Sequence, residues 1–446
     1  MTADLQPTIK SLMPRLTDEL KRLVRLPSVA FPDFPAAPVE QTAAEVSRLL
    51  TEAGLTGVRL MDVPRAPQAV FGERPARPGA PTVLLYAHYD VQPAGPEELW
   101  RSKPFEPVER DGRLYGRGAA DDKGGIVMHA GALLALGEDC PAGVKVLIEG
   151  QEEAGDGGIE EFVRANAELL RADAIVISDL GNYALGVPTL TTSLRGMAAC
   201  DVEVETLEGA VHSGMFGGPA PDALIALSRM IATLHDEKGD VAVQGLRTME
   251  YDGAPYEEAA YRKDAGVLDG VGLIGSASIG QRLYGNPSIN VIGIDAPRVD
   301  GAANALVPRA RARVSMRLAP GQEPGDAMRA VKAHLEAAAP WNATVKVTPG
   351  TTGRGFLART DGPALAAATQ AMGAAFGREV VRYGEGGSIP LVAAFLEAMP
   401  DAEMILWGPE EPLCKIHAPN ESVDLAELER CTLAEALFLA SLCEKG

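Results

Sequence analysis

The apolar positions change their period along the chain, and each change marks an element. Over residues 8–24, Ile9, Leu12, Met13, Leu16, Leu20 and Leu23 recur at three- and four-residue steps, which predicts an amphipathic helix. Residues 39–53 repeat that pattern. Strands are predicted over 58–63 and 82–87; the second, TVLLYA, is a continuous apolar run suited to the centre of a sheet. A helix is predicted over 122–136. KVLIEG (145–150) and AIVIS (174–178) are further short apolar, β-branched runs with a helical stretch between them. Such alternation predicts an α/β portion with a mainly parallel sheet covered by helices.

The texture changes after about residue 190. AACDVEVET (198–206) alternates like a half-exposed strand, a helix follows at 221–235, and 236–284 is polar and irregular. RARARVSMRL (309–318) alternates strictly: Ala310, Ala312, Val314 and Met316 fall on one face, Arg311, Arg313, Ser315 and Arg317 on the other. A helix at 323–338 and a strand at 343–348 complete an antiparallel α+β pattern. A helix at 362–376, a strand at 404–407 and a helix at 424–443 then resume the first texture. The expected organisation is therefore 1–190 and 353–446 as two parts of one α/β domain, with 191–352 inserted between them.

Composition narrows the function classes. At 446 residues the chain exceeds what one compact core usually organises. A net charge of −20 and a pI near 4.8 repel phosphate backbones, so no nucleic-acid partner is expected. No apolar run reaches the ~18 residues of a membrane span, and the start of the chain lacks the basic and apolar segments of a signal peptide. Cys140, Cys200, Cys414, Cys431 and Cys443 are scattered and form no CxxC, which points to reduced thiols in a cytoplasm and excludes zinc-finger spacing.

The candidate chemistry lies in turns. LLYAHYD (84–90) ends a strand on His88 and Asp90; in a His-x-Asp pair the carboxylate can orient the imidazole. GRGAADDKGG (116–125) surrounds Asp121 with glycines that allow close backbone approach, but lacks the order of a phosphate-binding loop. Lys123 in this motif is expected to be a structural ion-pair partner. In EGQEEAGDGG (149–158) the adjacent Glu152 and Glu153 leave an apolar strand, where like charges are costly unless cations neutralise them. ISDLG (177–181) delivers Asp179, and KIHAPNES (415–422) places His417 in a loop before the last helix. Two His, two Asp and one Glu can hold two divalent ions if one carboxylate bridges, leaving Glu152 as general base towards a water that the ions activate. His129, His235 and His334 fall in predicted helices and receive no function.

Taken together, HYD, GRGAADDKGG, EGQEEAG and ISD resemble the dimeric two-metal aminoacyl hydrolases: carnosinase-like dipeptidases, acetylornithine deacetylase, succinyl-diaminopimelate desuccinylase, aminoacylase and carboxypeptidase G. The likeness runs from LVRLPSV (23–29) to HAPNES (417–422). It implies a zinc-exopeptidase-like mixed sheet covered by helices, with an inserted α+β domain that acts as lid and dimerises. It implies His88 and Asp179 on one ion, Glu153 and His417 on the other, Asp121 between them, Glu152 as acid and base, and Asp90 supporting His88. The ions are expected to be Zn²⁺, with Mn²⁺ or Co²⁺ also suited to an oxygen-rich set.

Three further segments resemble the family's substrate side. AVHSGMFGGPAPDAL (210–224) implies that His212 stabilises the oxyanion in a partner subunit, SMRLAP (315–320) that Arg317 grips a substrate carboxylate, and GEGGSIP (384–390) that Ser388 and the backbone near Gly387 contact it. AANALVP (302–308) departs from the pattern, with Ala305 where dipeptidases often carry a polar residue and Asn304 beside it as a substitute. Glu385 is a candidate for a substrate amine. The reading that results is a metal-dependent exopeptidase acting on dipeptides or short peptides. An N-acyl-amino-acid deacylase with the same two-metal site is the alternative. A non-catalytic scaffold is disfavoured because it has no use for Glu152.

Overall fold

The computed structural model describes residues 5–155, 157–387 and 389–442. In chain order its principal strands are β1 (Thr56–Val63), β2 (Ala66–Arg74), β3 (Thr82–His88), β4 (Gly143–Glu149), β5 (Ala174–Ile177), β6 (Gly196–Glu205), β7 (Ser288–Asp295), β8 (Arg309–Leu318), β9 (Thr344–Gly353) and β10 (Glu403–Leu406). Its principal helices are α1 (Leu5–Val24), α2 (Ala37–Glu52), α3 (Lys123–Leu136), α4 (Gly158–Ala165), α5 (Ala223–Ala232), α6 (Pro324–Ala337), α7 (Pro363–Phe376), α8 (Pro390–Ala398) and α9 (Leu425–Ser441). The chain divides into unit 1 (residues 1–192, 358–383 and 390–446) and unit 2 (193–357 and 384–389).

Unit 1 is built on a six-stranded sheet in the order β1-β2-β4-β3-β5-β10. The pairs β4–β3, β3–β5 and β5–β10 are parallel, whereas β1–β2 and β2–β4 are antiparallel. Val83, Leu84, Leu85 and Ala87 of β3 are fully buried, as a strand between two parallel neighbours and under helices requires. Helices α1, α3 and α9 pack on one another, as do α4 and α8. α3 starts where Asp122 accepts the Gly125 N–H, and α9 where Asp424 accepts those of Ala426 and Glu427, so both helices begin on side-chain caps.

Unit 2 carries an antiparallel sheet ordered β7-β8-β6-β9. The strict alternation of β8 has the expected result: Ala310, Ala312, Val314 and Met316 are buried. They pack with Cys200, Val202 and Val204 of β6, Ala226, Leu227 and Met230 of α5, and Val331 and Leu335 of α6. On the other face Arg309, Arg311 and Arg313 pair with Glu205, Asp295 and Asp201 across the neighbouring strands. Within 236–284 a short helix spans Glu258–Asp264.

Two local expectations need correction. His235 lies outside α5, which ends at Ala232, and forms a bridge to Val241 instead. Lys123 makes no ion pair among the described residues: its buried ammonium donates to the carbonyls of Leu23 (3.0 Å) and Leu26 (2.8 Å). Burial lowers its pKa to about 7.

Candidate metal centre

Three parallel strands lying side by side end at the same edge of the unit 1 sheet. β3 ends on His88, β5 leads directly to Asp179, and β4 leads through a short turn to Glu152 and Glu153. This is the edge at which open α/β sheets present chemistry. Asp121 and His417 arrive differently, from turns rather than from the ends of sheet strands. Asp121 lies just ahead of α3, and its backbone is held by Glu421, which accepts the N–H groups of Gly118, Ala120 and Asp121 at 3.0, 3.1 and 3.2 Å. Glu421 also pairs with buried Arg117 at 2.6 Å. His417 sits in a turn where Lys415, His417 and Asn420 all adopt left-handed backbone conformations, with φ of 55°, 59° and 67°. Such non-glycine strain persists only where surroundings enforce it, and it concentrates at functional sites.

The convergence is tight. Asp121 turns one carboxylate oxygen to each histidine: Oδ1 is 3.0 Å from His88 Nε2, and Oδ2 is 2.8 Å from His417 Nε2. His88 Nε2 also lies 3.5 Å from Asp179 Oδ1, and His417 Nε2 lies 3.2 Å from Glu153 Oε2. Ligand-type atoms thus group as His88–Glu152–Asp179, as Asp121–Glu153–His417 and as Asp121–Asp179–Glu410. Asp121 sits between the two histidine-bearing groups. The His88 side chain is fully buried, whereas that of His417 is 52% exposed, so the centre opens to solvent on the His417 side.

The surrounding contacts orient this set. His88 Nδ1 faces the Asp90 carbonyl at 3.1 Å, which leaves Nε2 turned towards Asp121 and Asp179. Asp90 uses its carboxylate chiefly on the β4 turn, accepting the N–H of Glu152 and that of Glu153 at 3.1 Å each. Gln92 donates to Glu153 from its backbone (3.2 Å) and from its side chain (2.9 Å). Asp122 caps α3 and also accepts the His88 N–H and the Ser178 hydroxyl. Gly125 is required here: a Cβ would come within 2.1 Å of Asp122 Oδ1 and 2.2 Å of Ser178 Oγ.

Electrostatics show a crowding of buried acids at the centre. Burial, then the charge of Asp179, pushes the Glu152 carboxyl well above the usual range. Burial raises Asp179 to about 6 against the pull of His88, and burial with the charges of Asp121 and Asp179 raises Glu410. Asp121 is held low despite burial by its bonds to His417 and His88. Glu410 Oε1 is buried without a hydrogen-bond partner among the described residues. A nitrogen lone pair and surplus carboxylate oxygens gathered together fit divalent cations, which would satisfy both. Gln92, Asp122, Glu410 and Glu421 were not anticipated from sequence. The NES that follows His417, and the second Asp of GRGAADD, were the available signals for Glu421 and Asp122.

The remaining expected residues that are described lie in unit 2. His212 and Asn304 are brought together: His212 pairs with Ala305 in a short ladder, and the Ser213 N–H donates to the Asn304 carbonyl at 2.9 Å. His212 is exposed, and its Nδ1 accepts the Gly214 N–H. Arg317 lies near the end of β8, and Gly387 in a bend. Ser388 lies outside the described residues.

Comparison with known proteins places the chain in a family. The model of the peptidase family M20/M25/M40 matches residues 84–441. A cysteinylglycine-S-conjugate dipeptidase of Corynebacterium striatum is 42% identical over 90% of this chain and 89% of its own. A Cys-Gly metallodipeptidase of Schizosaccharomyces pombe is 30% identical over 71% of each chain. The crystal structure of human carnosine dipeptidase 1 superposes with a TM-score of 0.75 at 26% identity, covering 98% of both chains. Sheet, centre and kinship over nearly the whole length lead to one conclusion: this chain belongs to the peptidase family M20/M25/M40.

Proposed function

We propose that this protein is a metal-dependent dipeptidase that hydrolyses dipeptides bearing a free terminal carboxylate. The observation that carries the reading is Asp121, with one oxygen towards each histidine and with Glu152 grouped beside His88 and Asp179. Two ions are the expected complement, with His88 and Asp179 holding one, Glu153 and His417 the other, and Asp121 shared. Zn²⁺ suits the His and carboxylate donors, and Mn²⁺ and Co²⁺ suit them too. Bound divalent ions supply polarisation of the scissile carbonyl and acidify the attacking water. Glu152 would take a proton from the attacking water and deliver it to the leaving amine. Asp90 keeps Glu152 and Glu153 in register through their backbone N–H groups. By the family resemblance, His212 steadies the oxyanion, and Arg317 with the backbone near Gly387 holds the substrate carboxylate, with Asn304 and Ser388 as further contacts.

The dipeptidase reading is preferred to the deacylase one because the relatives at 42% and 30% identity are dipeptidases by name. We further propose a homodimer formed through unit 2 and a cytoplasmic location. The four described cysteines, all buried and free, support a reducing compartment. No helix among the described residues is long and apolar enough to cross a membrane. The test is hydrolysis of a panel of dipeptides and N-acyl amino acids by the Zn²⁺- or Mn²⁺-loaded protein, with Glu152→Gln as control. The variant should bind metal as the parent does and lose roughly 10²–10⁴-fold in kcat. Cleavage of N-acyl substrates alone would replace the reading with deacylase.

A further inference from the structure

Unit 2 contains a concentration of positive charge without a counter-ion. Along the polar face of β8, Arg309, Arg311 and Arg313 each pair with an acid on an adjacent strand. Arg317, on the same face and partly buried, has no ion-pair partner among the described residues. Its neighbour is a second arginine. Arg195 stands immediately before β6, and is only 5% exposed. Its Nη2 donates to Ser288 Oγ (2.8 Å), the Asn286 carbonyl (3.1 Å) and the Arg317 carbonyl (3.5 Å). Those bonds fix the guanidinium at the point where the start of β6, the start of β7 and the end of β8 lie side by side.

None of these acceptors carries charge, and Arg195 Nε is buried with no hydrogen-bond partner among the described residues. A nearby acid does not fill the gap. Glu385 accepts the Arg195 backbone N–H through its carbonyl, while its carboxylate accepts its own neighbour's N–H, that of Gly386. Burial and the charge of Arg317 lower the Arg195 pKa to about 10, so the two cations oppose each other. A buried guanidinium with an unmade bond, anchored rigidly and facing a like charge, is costly unless an anion joins it. A planar carboxylate suits guanidinium donors best, because two parallel bonds can form.

We propose that Arg195 is a second, specificity-determining cation of the substrate carboxylate site, acting with Arg317 and contributing charge and a donor from the floor of the β6–β7–β8 strand ends. The identity of the anion as a peptide's terminal carboxylate rests on the dipeptidase reading; the presence of an anion site in unit 2 does not.

The test compares one dipeptide with the same dipeptide as its C-terminal amide, using the full-length, metal-loaded protein, Arg195→Gln and Arg195→Lys. Arg195→Gln should raise KM for the acid roughly 10- to 100-fold, the value of a charge-assisted bond, with kcat nearly unchanged and the amide unaffected. Arg195→Lys keeps the charge and should restore part of the loss. A fall of the same size for acid and amide, or a fall in kcat alone, would show a purely structural role and overturn the proposal. If the Gln variant does not fold, the Lys variant is judged by the same acid-against-amide comparison. Calorimetric binding of the two compounds to the metal-stripped protein, where no turnover occurs, separates this proposal from the proposed function. Tighter binding of the acid that weakens in the Arg195 variants sustains the anion site even if no dipeptide is cleaved. Equal binding of acid and amide by the parent protein sinks it.

Discussion

The carboxylate of Asp90 accepts the backbone N–H of Glu152 at 3.1 Å, so the proposed general base is positioned by a residue on a different strand end. The second oxygen of Asp90 does the same for Glu153. One buried carboxylate thereby sets both members of the acidic pair. Asp90→Asn keeps the shape but offers one acceptor, so an amide N–H₂ must face one of the two N–H donors. We expect activity and metal affinity to fall about 10- to 100-fold, as for other groups that orient ligands, with the fold retained. Metal titration and kcat/KM measured on one preparation check this; unchanged values for both would remove Asp90 from its assigned role.

Glu421 joins the two ends of unit 1's chain at the centre, since it shapes the turn carrying Asp121 from 300 residues away. It is fully buried and neutralises Arg117, which is 2% exposed. Glu421→Gln leaves that guanidinium uncompensated, so a loss of about 3–5 kcal/mol is expected. Denaturant unfolding in the presence of metal measures it. Metal affinity should fall as well, because the amide nitrogen of Gln cannot accept the N–H groups that the carboxylate accepts. Full stability in this variant would mean that the turn is held by other contacts.

These two residues also show where reading the sequence stopped. The central strand was legible because TVLLYA is an uninterrupted apolar run, and β8 because its alternation is strict. The β2 strand was not, since AVF is too short an apolar run beside Pro67 and charged flanks. The β7 strand was missed for another reason: from Asn290 onwards both of its faces are exposed, so no inward face repeats in its sequence. His88, Asp121, Glu153, Asp179 and His417 were legible as chemistry-bearing types in turns beside glycines and strand ends. Glu421 and Asp90's hold on the β4 turn were not, because a carboxylate that accepts backbone N–H groups 62 to 303 residues away leaves no local pattern. His235 was placed in a helix because the apolar period of α5 runs close to it, although the helix ends at Ala232.

Metal removal should cost stability as well as activity. Burial and mutual repulsion raise Glu152, Asp179 and Glu410 in this pocket, and cations relieve that repulsion. Chelation should therefore lower Tm, and readdition should restore it with concentration, adding about 2.7 kcal/mol of unfolding free energy at a hundredfold excess over Kd. Asp121→Asn removes the shared charge between the two histidines and should reduce the number of ions bound per chain, read by elemental analysis of the dialysed protein. A Tm indifferent to metal would argue against divalent ions as resident partners of these side chains.

A last prediction concerns a pair removed from the centre. His129 in α3 and Glu435 in α9 are both fully buried, with Nδ1 2.8 Å from one carboxylate oxygen, while His129 Nε2 faces the Tyr86 carbonyl at 3.1 Å. Both ring nitrogens meet acceptors, which suits the imidazolium. Burial alone would lower its pKa, but the charge and hydrogen bond of Glu435, the Tyr86 carbonyl and Asp122 together raise it above the ordinary 6.5. The sign follows from linkage: a histidine whose folded value is raised stabilises fully below its unfolded value, and the contribution is lost as pH rises through the folded value. His129→Gln should therefore be destabilised most below the ordinary histidine value of 6.5, where the parent's imidazolium is fully formed, by about 3–5 kcal/mol, because Gln removes the cation of a buried pair. The gap from the parent protein should narrow as pH rises past the folded value. Unfolding free energies of both proteins across that range decide the matter: a gap that stays constant or widens with pH would mean that the imidazole is neutral in the fold.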